Sequence, residues 1–136
     1  MILQREERRE LRTELPATLD AVEQFCVEFR LWRAGACADL NVFSTELVLR
    51  ESLTNAVLHG CSGDPCKRIS CVLRAKLGRL LIAIQDEGDG FDWRAAWHRR
   101  TDVSETNGRG IKIMRRYSSS VRFNRKGNSV ILIKRF

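Results

Sequence analysis

Apolar and polar residues alternate across Ile69–Lys76 and Leu80–Asp86, the pattern of strands with one face in a core. Leu77-Gly78-Arg79 joins them as a hairpin, and the run LLIAIQD is apolar enough to lie centrally in a sheet. Upstream, Leu11–Leu15 reads as a short strand closed by Pro16. Leu19, Val22, Phe25, Cys26 and Phe29 recur instead at helical spacing, which predicts a helix capped by Thr18 and running to about Arg33, before Gly35. A second helix is predicted from about Asn41 to His59, with Gly60 as its stop. Residues 61–68 (CSGDPCKR) are turn chemistry. A long connection then follows Asp86, with Gly88 and Gly90 at one end and Gly108 and Gly110 at the other. Ile111–Tyr117 reads as a short helix, and Ser119–Asn124 with Ser129–Phe136 as a closing hairpin around Arg125-Lys126-Gly127-Asn128. This order predicts an α/β (α+β) two-layer sandwich, a mixed, mostly antiparallel sheet with helices on one face. There is no internal repeat, linker or low-complexity segment.

Composition narrows the class. With 136 residues, 43% of them hydrophobic and 30% charged, the chain is one soluble globular domain that can bury a core without disulfides or metal. No apolar run is long enough for a membrane helix, and MILQREERRE is charged where a signal peptide would be apolar. The expectation is a cytoplasmic protein, neither exported nor membrane-bound. Cys26, Cys37, Cys61, Cys66 and Cys71 make an odd set without a CxxC, and reduced thiols fit that set better than a zinc site does. The net charge of +7 is unevenly spread: residues 1–40 carry −2, residues 41–90 zero and residues 91–136 +9. The basic third alone does not choose between nucleic acid, an acidic protein and polyphosphate.

Three clusters carry chemistry. Glu51, Asn55 and His59 are spaced four apart, on one helix face. A carboxylate and an amide in line can hold an activated hydroxyl beside a magnesium ion, although such a stripe is more often a solvated face. Asp86-Glu87-Gly88-Asp89-Gly90-Phe91 follows an apolar strand, where a carboxylate can accept from an amino group and glycines admit a ligand to the backbone. Its bland alternative is a surface turn. Asn107-Gly108-Arg109-Gly110 opens onto a helix N-terminus, where backbone amides favour phosphate, but it lacks the spacing of a Walker loop.

In this order the three clusters resemble the GHKL, or Bergerat-fold, ATPase superfamily. Within it the chain is most similar to the anti-sigma-factor serine/threonine kinases of bacterial partner-switching systems. ELVLRESLTNAVLHG looks like the N box, DEGDGF like the first glycine box and NGRGIKIMRR like the second. LPATLDAVEQF and RFNRKGNSVILIKRF resemble the opening strand and helix and the last two strands. The likeness spans residues 11–136 as a single histidine-kinase-like ATPase domain, with residues 1–10 as an N-terminal extension.

The resemblance implies ATP and Mg²⁺ as cofactors, with Asn55 as the metal ligand and Glu51 as the general base for a substrate hydroxyl. It implies that Asp86 binds the adenine amino group, with Thr54 and Ser129 as supporting contacts. Gly88 and Gly90 would lie over base and sugar, Gly108, Arg109 and Gly110 at the phosphates, and residues 92–107 would form a lid. The implied substrate is a STAS-type anti-anti-sigma protein, the implied client a sigma factor or its equivalent, and the implied assembly a homodimer, without direct nucleic-acid binding. Two positions depart from the pattern. Thr106 stands where some relatives carry a basic residue over the terminal phosphate, leaving Arg109, Arg99 or Arg100 to substitute. Tyr117-Ser118-Ser119-Ser120 stands where relatives often have an acidic pair. The alternative reading is a nucleotide-regulated partner-binding module with weak or no catalysis.

Overall fold

The computed structural model describes residues 9–98 and 109–136. Five strands, β1 (Glu10–Pro16), β2 (Arg68–Lys76), β3 (Arg79–Asp86), β4 (Ser120–Phe123) and β5 (Ser129–Arg135), form one sheet in the order β1-β2-β3-β5-β4. Among the described residues every pairing is antiparallel, so the mixed element of the expected sheet drops out there, while the two-layer α+β sandwich stands. Tight hairpins explain two of the pairings. At the first, Leu77 and Gly78 both take positive φ, the geometry that matches the twist of a two-residue turn.

The register sorts the side chains. Ile69, Cys71, Leu73 and Ala75 of β2 share a buried face with Leu80, Ile82 and Ile84 of β3 and with Val130 and Leu132 of β5. Helices α1 (Leu19–Ala36) and α2 (Val42–Asn55) cover that face with Phe25, Phe29, Leu49 and Leu53. Each such side chain contributes about 1.5–3 kcal/mol through removal from water. Thr18 caps α1 by accepting from the Ala21 amide, and Asn41 caps α2 by accepting from that of Ser44. Arg30 with Glu46 and Arg50 with Glu23 bridge the two helices at the surface, where ion pairs add little stability.

Several boundaries differ from the expectation in instructive ways. The second helix is α-helical only to Asn55, and Ala56–Gly60 is a π-turn closed by the Cys61 amide on the Ala56 carbonyl at 2.8 Å. The wider turn moves His59 off the line of Glu51 and Asn55. It stands exposed and stacks on Phe91, with ring centroids 5.8 Å apart. Within the expected 86–110 connection lies a short helix, α3 (Trp93–His98), whose first turn Asp92 caps through the Ala95 amide at 3.1 Å. Helix α4 runs from Arg109 to Tyr117, so Gly110 lies inside its first turn instead of ahead of it. Strand β1 begins at Glu10, one residue before the expected domain start, and residues 1–8 lie outside the described residues. Four cysteines are buried and Cys66 is exposed. Among the described residues no helix is long and apolar enough to cross a membrane.

Candidate functional site

The site forms where the C-terminal end of α2 meets the end of β3 and the β4–β5 hairpin. Asp86 closes β3 with its side chain turned to the helical layer, only 6% exposed. Its Oδ1 accepts the Gly88 amide at 2.8 Å. Burial pushes its carboxyl above the ordinary carboxylate range, against the downward pull of that amide and of Lys67. Its Oδ2 lies against the backbone of Gly60, where any Cβ would fall well inside 3.0 Å of the carboxylate. Gly60 and Gly88 also meet each other, since a Cβ on Gly88 would collide with the Gly60 carbonyl.

The β4–β5 hairpin locks the other flank. Asn124 Oδ1 accepts the amides of Gly127, Asn128 and Ser129 at 2.8, 3.0 and 3.2 Å, which folds residues 125–128 into a fixed turn. Asn128 then accepts the Asp86 amide on its carbonyl at 2.9 Å. Gly90 and Gly127, both at φ +82°, let the segment after Asp86 lie directly on this turn: a Cβ on Gly90 would strike the Lys126 carbonyl, and one on Gly127 the Phe91 carbonyl. Ser129 borders the cavity, but its pairing with Gln85 in the ladder sends its side chain to the sheet face away from Asp86. Phe91, Phe123, Trp93 and Trp97 follow as a chain of ring contacts, from 5.4 to 6.1 Å between centroids, that ends with Arg115 of α4 over Trp97 at 4.1 Å.

The Glu51 end is built from side chains. Helix α4 lays its first turn across α2 so that Gly110 faces both Asn55 and Glu51. A Cβ there would stand 3.2 Å from the Asn55 amide atoms and 3.3 Å from Glu51 Oε2. At its other end α4 is held by Lys134, only 8% exposed, which donates to the Tyr117 carbonyl at 2.5 Å and to Ser44 Oγ at 3.1 Å. A cation at that carbonyl also complements the helix dipole. Desolvation lowers the Lys134 pKa.

Glu51, Asn55, Asp86, Gly88, Gly90, Gly110 and Ser129 are thus drawn to one region. Between its two ends lies a cavity of about 10 Å³, lined by Asn55, Asp86, Phe91, Met114, Gly127, Asn128 and Ser129 among others. Thr54 is half-buried on α2 and does not line it; Ser52 does, with its hydroxyl donated to the Val48 carbonyl. Gly108, Thr106, Arg99, Arg100 and the side chain of Arg109 lie outside the described residues. Sequence reasoning gave Gly60 only as a helix stop and Asn124, Gly127 and Asn128 only as parts of a hairpin, with no role at the site. The run Asn124-Arg-Lys-Gly127-Asn128 is a turn signal, but nothing in it shows that the turn supports Asp86 across the sheet.

The donor set suits a nucleotide. It offers a buried carboxylate acceptor at one end, an amide and a carboxylate at the other, and glycine backbone against both. Comparison with known proteins agrees. The family model described as "Histidine kinase-like ATPase domain" matches residues 15–134. No curated protein matches the chain. Among solved structures, the histidine kinase domain of the blue-light activated histidine kinase from Erythrobacter litoralis EL346 is similar at a TM-score of 0.51 and 17% identity. The match covers 87% of this chain and 59% of that one, and at this identity it speaks for the fold.

Proposed function

Because the chain belongs to the histidine kinase-like ATPase domain family and so carries an ATP-binding, kinase-type domain, we propose that it is a serine/threonine protein kinase of the anti-sigma type. Its substrate in this reading is a small STAS-type antagonist, and its client a sigma factor or an equivalent protein. The observation that carries the reading is the position of Glu51, next to Asn55 and under the first turn of α4, where a carboxylate is of use to an incoming hydroxyl.

ATP would supply the phosphoryl group and Mg²⁺ would screen its charge. Asn55 would hold the ion through its carbonyl oxygen. Among the described residues no three of His, Cys, Asp and Glu are grouped as a metal cage, so phosphate oxygens would provide further ligands. Asp86 would accept from the base's amino group, a direction that an ionised carboxylate satisfies and that leaves the buried charge compensated. Backbone amides of α4 would meet the phosphates. The substrate hydroxyl would attack the terminal phosphorus, the bond to the leaving diphosphate oxygen would break, and the hydroxyl proton would pass to Glu51. The added charge on the antagonist would then repel an interface that it fitted before. A homodimer would give each client two such domains.

A second reading, a partner-binding module with weak or no transfer, draws on the small cavity: about 10 Å³ admits a water but no base until Phe91 or its neighbours move. One experiment separates the two. Purified protein is incubated with ATP, Mg²⁺ and STAS-domain proteins from the same genome, and the products are read by mass spectrometry. A kinase yields one phosphorylated serine or threonine. Glu51→Gln is expected to slow transfer about 10²- to 10⁴-fold while calorimetric ATP binding persists. Unchanged transfer would remove Glu51 from the chemistry, and binding without any phosphorylated product would establish the second reading.

A further inference from the structure

Among the described residues the helical layer covers one face of the sheet only. On the other, Val72, Leu81, Ala83, Ile131 and Ile133 come together by register across the three central strands β2, β3 and β5. A groove of about 410 Å³ opens beside them, lined by Leu81, Ile133 and Leu77 with Arg74, Lys76 and Arg79. Alternation also sends Arg12, Arg122 and Arg135 to this face, against only Glu10 and Glu14 from the acidic side. Arg12 and Arg74 share Glu10, whereas Lys76, Arg79, Arg122 and Arg135 have no ion pair among the described residues. The surface is therefore an apolar centre inside a cationic rim, which is the anatomy of a protein interface. It is remote from the nucleotide site: Arg79 and Asp86 are opposite ends of β3, about 24 Å apart at 3.4 Å per residue.

We propose that this open face docks an acidic, amphipathic helix of another protein, whose apolar side sits on Leu81 and Ile133 and whose carboxylates reach Arg79, Lys76 and Arg135. A helix is what covers a flat sheet face in two-layer folds. The rim charge selects an acidic partner and opposes a second copy, which would bring like charges together. Nucleic acid is disfavoured because no aromatic side chain stands among these strand positions to stack on a base. The apolar centre is half-open, with Val72, Leu81, Ala83 and Ile133 half-buried and Ile131 exposed, so a lipid surface is left as an outcome of the test. The inference does not depend on phosphoryl transfer, since the face is separate from Glu51 and Asp86.

The test titrates isotope-labelled full chain with a synthetic helix of about 20 residues, leucine along one face and glutamate elsewhere, beside a control with lysine in place of glutamate. The glutamate helix is expected to bind at micromolar concentration and to shift the amides of Val72, Leu81, Ile131 and Ile133 but not those of Asp86 and Gly88. Arg79→Glu combined with Arg135→Glu, both exposed and safe for folding, is expected to weaken it about tenfold or more. Leu81→Asn should do the same. ATP affinity should be unchanged in both variants, so a failure of nucleotide binding in the parent protein would count against the kinase reading and leave this one standing. No binding of the glutamate helix, equal binding of the lysine helix, or shifts confined to α1 and α2 would overturn the proposal. So would tighter occupation of the same residues by duplex DNA, by phosphatidylglycerol vesicles or, in sedimentation, by a second copy of the chain.

Discussion

At the Asp86 end of the site, glycines bring main chain against main chain, whereas at the Glu51 end a single glycine brings main chain against two flexible side chains. Gly60 and Gly88 touch through backbone atoms, and Gly90 and Gly127 press on carbonyls of the opposite segment. None of those partners can turn aside. Gly110 faces the ends of Asn55 and Glu51, which rotate about several bonds. The Asp86 end is thus an interlocked frame, and the Glu51 end is a surface whose parts can shift relative to one another. That division suits a nucleotide site, in which the base fixes the ligand and the phosphates must be released after transfer.

The same substitution at the two ends should therefore have different consequences. Gly88→Ala places a methyl group inside the Gly60 carbonyl, and both segments carry further contacts that resist movement. The expected loss is about 3 kcal/mol or more in urea denaturation. A wild-type midpoint would mean that the two backbones are not in contact.

Gly110→Ala should keep the fold. Alanine is preferred over glycine within a helix by about 0.5–1 kcal/mol, which offsets the displacement of two side-chain ends by a few tenths of an ångström. What it displaces, however, is the pair Glu51 and Asn55. Phosphoryl transfer is expected to fall about 10- to 100-fold with an unchanged or higher melting temperature. An equal loss of stability at both glycines would erase the distinction between the ends.

How far each end could be read from the sequence follows from the same distinction. Strands β2 and β3 were legible because alternation along a hairpin is local. Glu51, Asn55, Asp86, Gly88, Gly90 and Gly110 stand out in the sequence because their spacing is a property of consecutive residues, and the fold brings them to one region. The interlocking was not legible. That Gly60 lies under Asp86, or that the Asn124 turn braces the Asp86 amide through Asn128, depends on segments brought together only by the fold. The π-turn was hidden for a related reason: AVLHG continues a helical pattern, and only the packing of Val57 and Cys61 into the core shows that the turn widens. Helix α3 had a local signal in Asp92 and the run WRAAWH, outweighed by the polar character of the surrounding connection. The antiparallel character of the described pairings likewise depends on which strands become neighbours, and β3 beside β5 brings together positions far apart in the chain.

The effect on stability expected at Asp86 is well below that at Gly88, and its sign is informative. Burial raises this carboxyl above its ordinary value, and the single Gly88 amide does not compensate. Well below the ordinary value both folded and unfolded chains hold the proton, and the carboxyl has no effect on stability. As pH rises, the unfolded chain releases its proton first, so the fold loses stability through the window between the ordinary and the raised value, and that loss persists at neutral pH. Asp86→Asn retains an acceptor for Gly88 and removes the buried charge. It should therefore stabilise the free protein at pH 7, with the gain vanishing in acid, as followed by thermal denaturation across pH. The same variant should lose ATP affinity in calorimetry, because a carboxamide presents a donor where the base offers one. Stabilisation joined to loss of binding would mean that the frame at this end holds a carboxylate at a cost to the empty fold, a cost that the ligand's amino group offsets. Destabilisation at pH 7 would instead make Asp86 a structural brace, and would leave the rigid end of the site without its reason for being rigid.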